Sequence, residues 1–512
     1  MTDIEQSSGT ELTAEPTAEP TAASTAETAS RRWRSLWRVH FYAGMFSMPF
    51  IILMALTGLV ILYTQTIHDT TESNVRTVAD SGEWVSFDLQ EQAVEAAYPE
   101  HTVVAMTLPV DGEHSTIFGF DNGHQAYVDP YTAKVLGAND PGRGIVGLAN
   151  RLHGFLNNNE RMVSLPTVSA LWDDGPVMRD YVIGDLILEC FGVWTMVLAI
   201  TGIYLWWPRR RAAATSRDKN GRGLFRIRLG KKGRARWRDL HAVPGVVLAS
   251  IMLVTLVSGM AWSTYWSANF TSLANEISPN VWTDAPASAL GTRGDLDRLG
   301  NHITWNTGDQ PIPASYATVT DGSLPAPVSL DSLVAIGTKE GMKPGYSVYF
   351  PDNSALDDAN NPIYGAFTLS NSWPRKTGEA RNVYLDQFTG THLSELDAYG
   401  LGSVSYALDT MVMWHMGTQW GIVTRILMTL MCVLAIWSII SAFVMYWKRR
   451  RSGSLGLPRR PLDVHRAKRL TLIACVLAVA FPEWGVTALL VLLFDRFVIR
   501  KVPRLRVAFG QR

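Results

Sequence analysis

The sequence predicts a mainly α-helical membrane protein. Four transmembrane helices would form two parallel repeats, with two small α+β domains outside the membrane and a C-terminal hydrophobic hairpin. Three observations support this fold class. Four apolar runs are each long enough to cross a bilayer. Basic residues are concentrated at one end of these runs. A His-led apolar run, a polar segment, a second apolar run and an Arg-rich end occur in that order twice along the 512 residues.

Arg and Lys are concentrated in four short segments beside the apolar runs. Segments 31–40, 208–242, 448–469 and 496–512 hold 32 of the 46 basic residues. The long segments 63–185 and 266–420 hold only six and seven, and the first also contains 18 acidic residues. Because cytoplasmic loops are enriched in Arg and Lys, we predict a cytoplasmic N-terminus and two extracytoplasmic polar segments. Basic segments can also bind nucleic acid, but these adjoin apolar runs, so we expect a lipid bilayer and no nucleic-acid partner.

This pattern divides the chain into membrane spans, outward domains and cytoplasmic segments. We predict spans at 31–65, 186–207, 243–266 and 421–447. The outward segments are two domains and two interfacial helix regions, at 66–141, 142–185, 267–400 and 401–420. The cytoplasmic segments are a disordered tail, two basic loops and a short C-terminal tail, at 1–30, 208–242, 448–469 and 499–512. Segment 470–498, interrupted by Pro482-Glu483, is predicted as the hydrophobic hairpin, with a re-entrant segment as the alternative.

Hydrophobic periodicity predicts the elements of the two outward domains. The first should contain a helix at 89–97 and strands at 103–108, 115–120 and 126–128. The second should contain a helix at 329–341 and strands at 345–350, 363–369 and 382–385. Each domain is followed by a helix that carries one histidine, at 144–158 and at 402–416.

Four of the eleven histidines occupy equivalent places in the two repeats. His40 and His241 begin spans 1 and 3, each 18 residues before a glycine, which is about 27 Å along a helix. His153 and His415 precede spans 2 and 4 at the outer side. A twofold axis along the membrane normal would bring the members of each pair face to face. Two facing imidazoles suit axial ligation of b-type haem, so we predict two haems per chain, one on each side.

Other interpretations of these histidines remain open. They can be interfacial residues that anchor helices, or they can bind zinc, although no acidic or Cys ligand joins either pair at short spacing. No Cys-x-x-Cys-His motif is present, and the isolated Cys190, Cys432 and Cys475 suggest packing residues. The seven histidines without an equivalent are interpreted as surface residues: His68, His101, His114, His124, His302, His392 and His465.

Several other residues are candidates for supporting a cofactor. Four arginines near the inner histidines can pair with haem propionates: Arg34, Arg38, Arg236 and Arg238. Glu189 can bond a histidine ring or another helix, or make a purely structural hydrogen bond. Five glycines in the spans suggest close helix packing or clearance for a flat ring: Gly44, Gly58, Gly202, Gly245 and Gly259. No Gly-rich nucleotide loop is visible, so we expect no NAD(P)H or flavin site in the chain.

Span 2 carries a recognisable motif. Leu188-Glu189-Cys190-Phe191-Gly192-Val193-Trp194, followed by Thr201-Gly202-Ile203-Tyr204-Leu205-Trp206-Trp207-Pro208-Arg209, resembles the PepSY-associated transmembrane family. The spans that run from His to Thr/Ser-Gly, and the Tyr-x-Asp-x-x-Thr endings at Tyr127 and Tyr384, fit its PepSY domains. The resemblance covers about residues 31–500. Ser258 replaces the usual Thr, and span 4 departs further with Ser441-Ala442 and Tyr446-Trp447-Lys448.

The resemblance implies a role in iron uptake and, in one branch, a di-haem inner-membrane reductase of ferric siderophores. We therefore predict an oxidoreductase of the bacterial cytoplasmic membrane that passes electrons from the cytoplasm to an extracytoplasmic ferric chelate. Its donor would lie in the cytoplasm or the membrane. The competing prediction is a non-enzymatic PepSY membrane protein that acts in iron uptake as a sensor, escort or permease component.

Overall fold

A computed structural model of the chain describes the ranges 22–158, 160–172, 175–217, 232–260, 263–269, 313–316, 323–357, 359–371, 375–398, 403–449 and 468–509, with the single residues 225, 227, 230, 273, 455 and 457. Most of the predicted disordered tail, much of both basic loops and a large part of the second outward domain lie outside these residues. The first helix begins at Ala22, which is within the segment 1–30 that the sequence predicts as disordered.

The described chain is mostly helical. Its helices are α1 (Ala22–Leu62), α2 (Thr64–Thr71), α3 (Ser73–Arg76), α4 (Phe87–Ala97), α5 (Gly144–Phe155), α6 (Ile183–Arg217), α7 (Arg234–Met260), α8 (Leu330–Lys339), α9 (Ser403–His415), α10 (Ile422–Arg449), α11 (Lys468–Ala480), α12 (Pro482–Phe494) and α13 (Pro503–Ala508). Short 3-10 turns occur at Ser169–Leu171 and Thr377–Glu379, and a π-helical turn at Asp495–Ile499 follows α12.

Four of these helices are long and apolar enough to cross a membrane. The candidate spans are Trp33–Leu62, Ile183–Trp207, Arg234–Met260 and Ile422–Arg449, with mean hydropathies between 2.0 and 2.4, and we call them spans 1 to 4. This confirms the predicted mostly helical protein with four candidate spans. Span 1 packs on spans 2 and 4, and span 3 does the same, so the four helices form a closed bundle. Small buried residues at these contacts, such as Ala43, Ala249 and Ala435, allow close approach of the helices.

Eight strands from both outward segments form one antiparallel sheet. The strands are β1 (Val103–Thr107), β2 (Thr116–Phe120), β3 (Gln125–Val128), β4 (Val135–Asn139), β7 (Ser347–Tyr349), β8 (Ala366–Ser370), β9 (Arg381–Asp386) and β10 (His392–Asp397), after a separate hairpin of β5 (Met162–Pro166) and β6 (Met178–Val182). The sheet order is β10-β9-β8-β7-β1-β2-β3-β4. Each segment therefore supplies a four-stranded meander, and the two meanders meet at their first strands.

The joined sheet differs from the two separate domains that the sequence predicts. Met106 of β1 pairs with Val348 of β7, and the hydroxyls of Thr107 and Ser347 are 2.8 Å apart. The physical reason is that the first strand of an isolated meander is an edge strand with unpaired backbone N–H and C=O groups. Pairing β1 with β7 satisfies these groups in both meanders. Helices α4 and α8 pack on the same sheet face and share one hydrophobic core with it.

The chain after span 4 adds two short apolar helices to the bundle. Helices α11 and α12 pack against each other, and the break between them is at Phe481, directly before Pro482. Helix α12 lies on span 2, where the indole N–H of Trp194 donates to the Thr487 hydroxyl at 3.0 Å. The rings of Trp194 and Trp484 are 5.4 Å apart.

Candidate cofactor site

The described spans enclose a cavity of about 1510 Å³ at their basic end. It is large beside the roughly 300–1,000 Å³ of a typical small-molecule site. His40 of span 1 and His241 of span 3 both line it, as do Gly44, Gly202 and Gly245. The structure therefore brings together the two histidines that begin spans 1 and 3.

Each of these two histidines is held by the neighbouring span. Nδ1 of His40 lies 3.0 Å from the Leu198 carbonyl oxygen and 3.1 Å from the Thr201 hydroxyl, both on span 2. Nδ1 of His241 lies 3.1 Å from the Ser438 carbonyl oxygen and 3.0 Å from the hydroxyl of Ser441, both on span 4. Span 1 therefore relates to span 2 as span 3 relates to span 4.

The other two histidines meet at the opposite end of the bundle. The rings of His153 on α5 and His415 on α9 have centroids 6.2 Å apart and are nearly perpendicular, at 86°. Nδ1 of His153 is 2.8 Å from the Thr57 hydroxyl of span 1. Nδ1 of His415 is 3.0 Å from the carbonyl oxygen of Thr255 and 3.1 Å from the hydroxyl of Ser258, on span 3.

These contacts fix the same tautomer in all four rings. A carbonyl oxygen can only accept, so the Nδ1–H groups of His40, His241 and His415 must donate. His153 has a hydroxyl partner instead, but Thr57 already donates its own proton to the Leu53 carbonyl at 2.7 Å. The hydroxyl must therefore accept from His153. Within the described chain no hydrogen bond involves Nε2 of these rings, so each Nε2 lone pair is available to a ligand.

His153 and His415, which we call the outer pair, are held in the neutral form that binds metals. Burial and, to a smaller extent, the neighbouring His415 lower the pKa of His153 to about 3. Burial likewise lowers the pKa of His415. Neutral imidazoles with an oriented Nδ1–H and a free Nε2 are the usual form of a histidine that ligates a metal. Each pair can therefore supply two opposed nitrogen ligands to one metal centre.

The glycine of each Thr/Ser-Gly pair makes room for a histidine ring. A Cβ atom at Gly202 would lie 3.1 Å from Cε1 of His40, and one at Gly259 would lie 3.1 Å from Cε1 of His415. At Gly58 the corresponding distance to His153 is 3.4 Å. Span 4 carries Ala442 after Ser441, and Ala442 lines the inner cavity. The sequence suggests that glycines in the spans leave space for a flat ring. At Gly58, Gly202 and Gly259 the edge of an imidazole occupies that space.

The four predicted arginines are placed differently from one another. Arg238 lines the inner cavity and lies 3.3 Å from Asp239, whereas Arg34, Arg38 and Arg236 are not part of the lining that the structure describes. The guanidinium of Arg38 donates to the Phe509 carbonyl at 3.0 Å and to the Tyr42 hydroxyl at 3.1 Å.

Two arginines that the sequence did not single out also line the inner cavity. They are Arg234 and Arg449, and the guanidinium of Arg449 lies 4.4 Å from the centre of the Trp37 ring. Trp206 also lines the cavity, and its buried indole N–H has no described partner.

Glu189 is bound to main-chain amides. It is 2 % exposed, and its two oxygens accept from the N–H groups of Tyr265 at 3.2 Å and Trp266 at 2.9 Å. These amides follow the outer end of span 3. Glu189 therefore joins span 2 to the segment after span 3, which is the predicted bond to another helix. No histidine ring contacts this carboxylate within the described residues.

Two polar clusters in the outward sheet region were not anticipated. Asp409 of α9, six residues before His415, is 1 % exposed and forms a bidentate pair with Arg375, both distances being 3.0 Å. This pair ties the outward domain to the His415 helix. Glu340, His392 and Glu395 form a potential metal-binding group, but Arg381 already pairs with both carboxylates, at 3.3 Å and 2.5 Å. We interpret the second cluster as an ion-pair network.

Comparison with known proteins bears on the whole bundle. The family model of the PepSY-associated TM region matches residues 37–449, which is most of the chain and includes all four candidate spans except the first four residues of span 1. The chain belongs to the PepSY-associated transmembrane family. A search of curated proteins finds no match. Membership in this family, with the four apolar helices, indicates a membrane location.

Proposed function

We propose that this PepSY-associated protein is a di-haem b membrane reductase. It passes electrons from the cytoplasm to an extracytoplasmic ferric chelate, such as a ferric siderophore, in iron uptake. One observation carries the proposal: four histidines, each anchored through Nδ1 to a Thr or Ser hydroxyl, form two pairs at the two ends of one bundle. A histidine that merely anchors a helix does not need a fixed tautomer with a free Nε2.

The residues present offer two imidazole ligands at each pair. Two metal–nitrogen bonds of about 2 Å, with each ring centre about 1 Å behind its nitrogen, put opposed imidazole centres roughly 6 Å apart. The outer pair has a separation of 6.2 Å. At the inner pair, the large cavity offers room for a planar group. There Arg234, Arg238, Arg449 and the indole N–H of Trp206 offer donors for carboxylates.

The chain's own residues would hold each haem and set its properties. Bound haem supplies one-electron redox chemistry within the membrane. Thr201 and Ser441 orient the inner ligands, and Thr57 and Ser258 orient the outer ligands, so that Nε2 stays deprotonated. The apolar span residues around each site exclude water, which lowers the local dielectric constant and favours the less charged, reduced state.

The substrate step that we propose is a single-electron reduction. One electron converts Fe(III) in the chelate to Fe(II), and no bond to the protein forms or breaks. Anionic oxygen ligands hold the more highly charged Fe(III) more strongly, so reduction weakens the chelate and releases iron. The electron donor would act at the cytoplasmic end, beside the inner pair.

Reconstituted vesicles test this function. With a reduced donor enclosed and a ferric chelate outside, together with a ferrous-specific dye, the native protein should produce external Fe(II). His415→Ala should abolish this reduction, whereas His392→Ala, which changes an exposed histidine of the outward sheet, should match the native rate. An unchanged rate in His415→Ala would refute the proposal. A folded protein with no haem and no reduction would favour the non-enzymatic sensor, escort or permease alternative.

We further propose that the protein lies in a bacterial cytoplasmic membrane with its sheet outside. The charge asymmetry supports this orientation, since 13 of the basic residues lie in segment 208–242, which comprises the loop after span 2 and the start of span 3. Cysteines at Leu89 and Phe225, both exposed, should separate the two sides. In intact cells an impermeant maleimide should label Leu89→Cys and not Phe225→Cys, and the reverse pattern would invert the topology.

A further inference from the structure

Residues 162–172 and 175–182, which we call the ribbon, have no counterpart between His415 and span 4 in the described second half of the chain. Only a few residues separate His415 from span 4, whereas about 30 separate His153 from span 2. The extra residues form β5 and β6, which pair over five residues from Met162 opposite Val182 to Pro166 opposite Met178. The reductase proposal leaves this element without a role.

The ribbon exposes an unusual amount of apolar surface. Leu171 is 81 % exposed, Val177 is 67 % and Met162 is 57 %. Met178, Val163 and Trp172 are exposed as well. A cluster of this kind on one short element marks a contact with a partner or with a membrane rather than a surface in water.

Both ends of the ribbon are fixed to the outer ends of membrane spans. At one end, Val182 of β6 is followed directly by Ile183, the first residue of span 2. At the other end, the Tyr265 hydroxyl donates to the Pro166 carbonyl at 3.1 Å, and the Ser169 N–H donates to Asn269 Oδ1 at 2.8 Å. Tyr265 and Asn269 follow the end of span 3 at Met260 within nine residues. The ribbon thus bridges the outer ends of spans 2 and 3.

Buried contacts hold the ribbon in this position. Tyr181 is 2 % exposed and its ring lies 4.9 Å from that of Tyr265. Leu165 and Leu186 pack in the same small cluster. The face of the ribbon that carries Leu165 and Tyr181 is therefore attached to the spans, while Met162, Leu171, Val177 and Met178 remain exposed.

We infer that the ribbon is an interfacial membrane anchor. Leu171, Val177 and Met178 contact lipid in the outer leaflet, at the level of the headgroups. Continuity with spans 2 and 3 favours lipid over a second copy of the chain, because the ribbon adjoins the ends of two helices that are long and apolar enough to cross a membrane. Trp172 suits the interface, where Trp side chains are enriched, and Arg161 and Arg179 can pair with lipid phosphates.

Lipid-phase quenching tests the anchor independently of haem. A fluorescent nitrobenzoxadiazole probe is attached at Leu171→Cys in a Cys475→Ser background, since Cys190 and Cys432 are buried. Leu89→Cys is the matched control, because Leu89 is 50 % exposed on α4. Helix α4 packs on one face of the sheet. The Tyr127 side chain lies on the other face and contacts Arg76 of α3, in the segment that follows span 1.

In nanodiscs the Leu171 probe should be quenched severalfold by doxyl-labelled lipid and protected from iodide, whereas the Leu89 probe should show the reverse. Equal iodide quenching at both positions would overturn the anchor. Protection of the Leu171 probe from both quenchers would place a protein contact there, such as a second copy, and would also overturn it. Since none of these outcomes depends on redox activity, failure here leaves the reductase proposal to its own test.

Discussion

The most informative atoms are the four hydroxyl oxygens beside the histidines. Each donates its own proton to a carbonyl of its own helix and accepts the proton of a ring on another helix. The contact with the ring adds an acceptor role to the usual bond that a Thr or Ser in a helix donates to a carbonyl one turn earlier. The hydroxyls therefore act as oriented acceptors whose positions are fixed by helix geometry.

The outer site should depend more on its hydroxyl than the inner site does. His40 keeps the Leu198 carbonyl if Thr201 is changed, but the described chain offers the His153 Nδ1 only Thr57. Thr57→Val should therefore weaken outer haem binding by about 10- to 100-fold, and Thr201→Val should weaken inner binding much less. Haem titrations followed by absorbance would measure both affinities. Equal effects of the two substitutions would contradict the proposed difference.

The clearance at the glycines predicts a size limit. Ala442 stands where the other three spans have glycine, so one methyl group is tolerated there. Gly259→Ala should need a shift of a few tenths of an ångström in His415, whereas Gly259→Val should displace the ring and remove the outer haem. Gly378→Val is the control, because a Cβ atom at Gly378 would meet no described atom within 4 Å and Gly378 adjoins none of the four histidines. Haem content per chain is the measurement, and full content in Gly259→Val would contradict the prediction.

At the scale of elements, helices α4 and α8 cap each other. Asp331 accepts from the Phe87 N–H at 2.8 Å, and Asp88 accepts from the Leu330 N–H at 2.8 Å. Each carboxylate therefore satisfies the first amides of the opposite helix and interacts favourably with its dipole. The two halves of the sheet region are linked here as well as at the β1–β7 pair.

Removing one reciprocal cap should loosen the opposite helix. Asp331→Ala should cost about 1 kcal/mol, so amides in the first turn of α4 should exchange with deuterium about fivefold faster. Asp121→Ala, in an exposed turn, should leave them unchanged. Hydrogen exchange read by mass spectrometry resolves these peptides. Faster exchange confined to α8, where Asp331 itself lies, would show that the cap is not reciprocal.

Local patterns predicted the helices and most strands of the sheet, but they could not predict how these meet. Periodicity indicated α4, α8 and six strands close to their observed bounds. Pairing of Met106 with Val348 joins residues more than 200 positions apart, which no local pattern encodes. Strands β5 and β6 were missed because exposed apolar residues on both faces hide the alternation that marks a half-buried strand.

The whole bundle couples the two histidine pairs through shared helices. Span 1 carries His40 at one end and Thr57 at the other, and span 3 carries His241 and Ser258 in the same order. Equivalent places in the two predicted repeats indicated which histidines would lie together, and in the structure His153 lies 6.2 Å from His415 while His40 and His241 line one cavity. Their acceptors were not predicted, because each lies on a span about 100 to 200 residues away. The recurrent Thr/Ser before a small residue is the sequence signal that could have identified them.

Haem stoichiometry of single-ligand variants tests the central claim most directly. Protein purified in detergent after haem supplementation should carry two non-covalent haem b per chain, which acid-acetone removes, with the low-spin spectrum of bis-histidine ligation. His241→Ala and His415→Ala should each lose one haem and retain the other, because the two pairs share no ligand. A well-folded native protein without haem, or with both haems retained in either variant, would contradict the account.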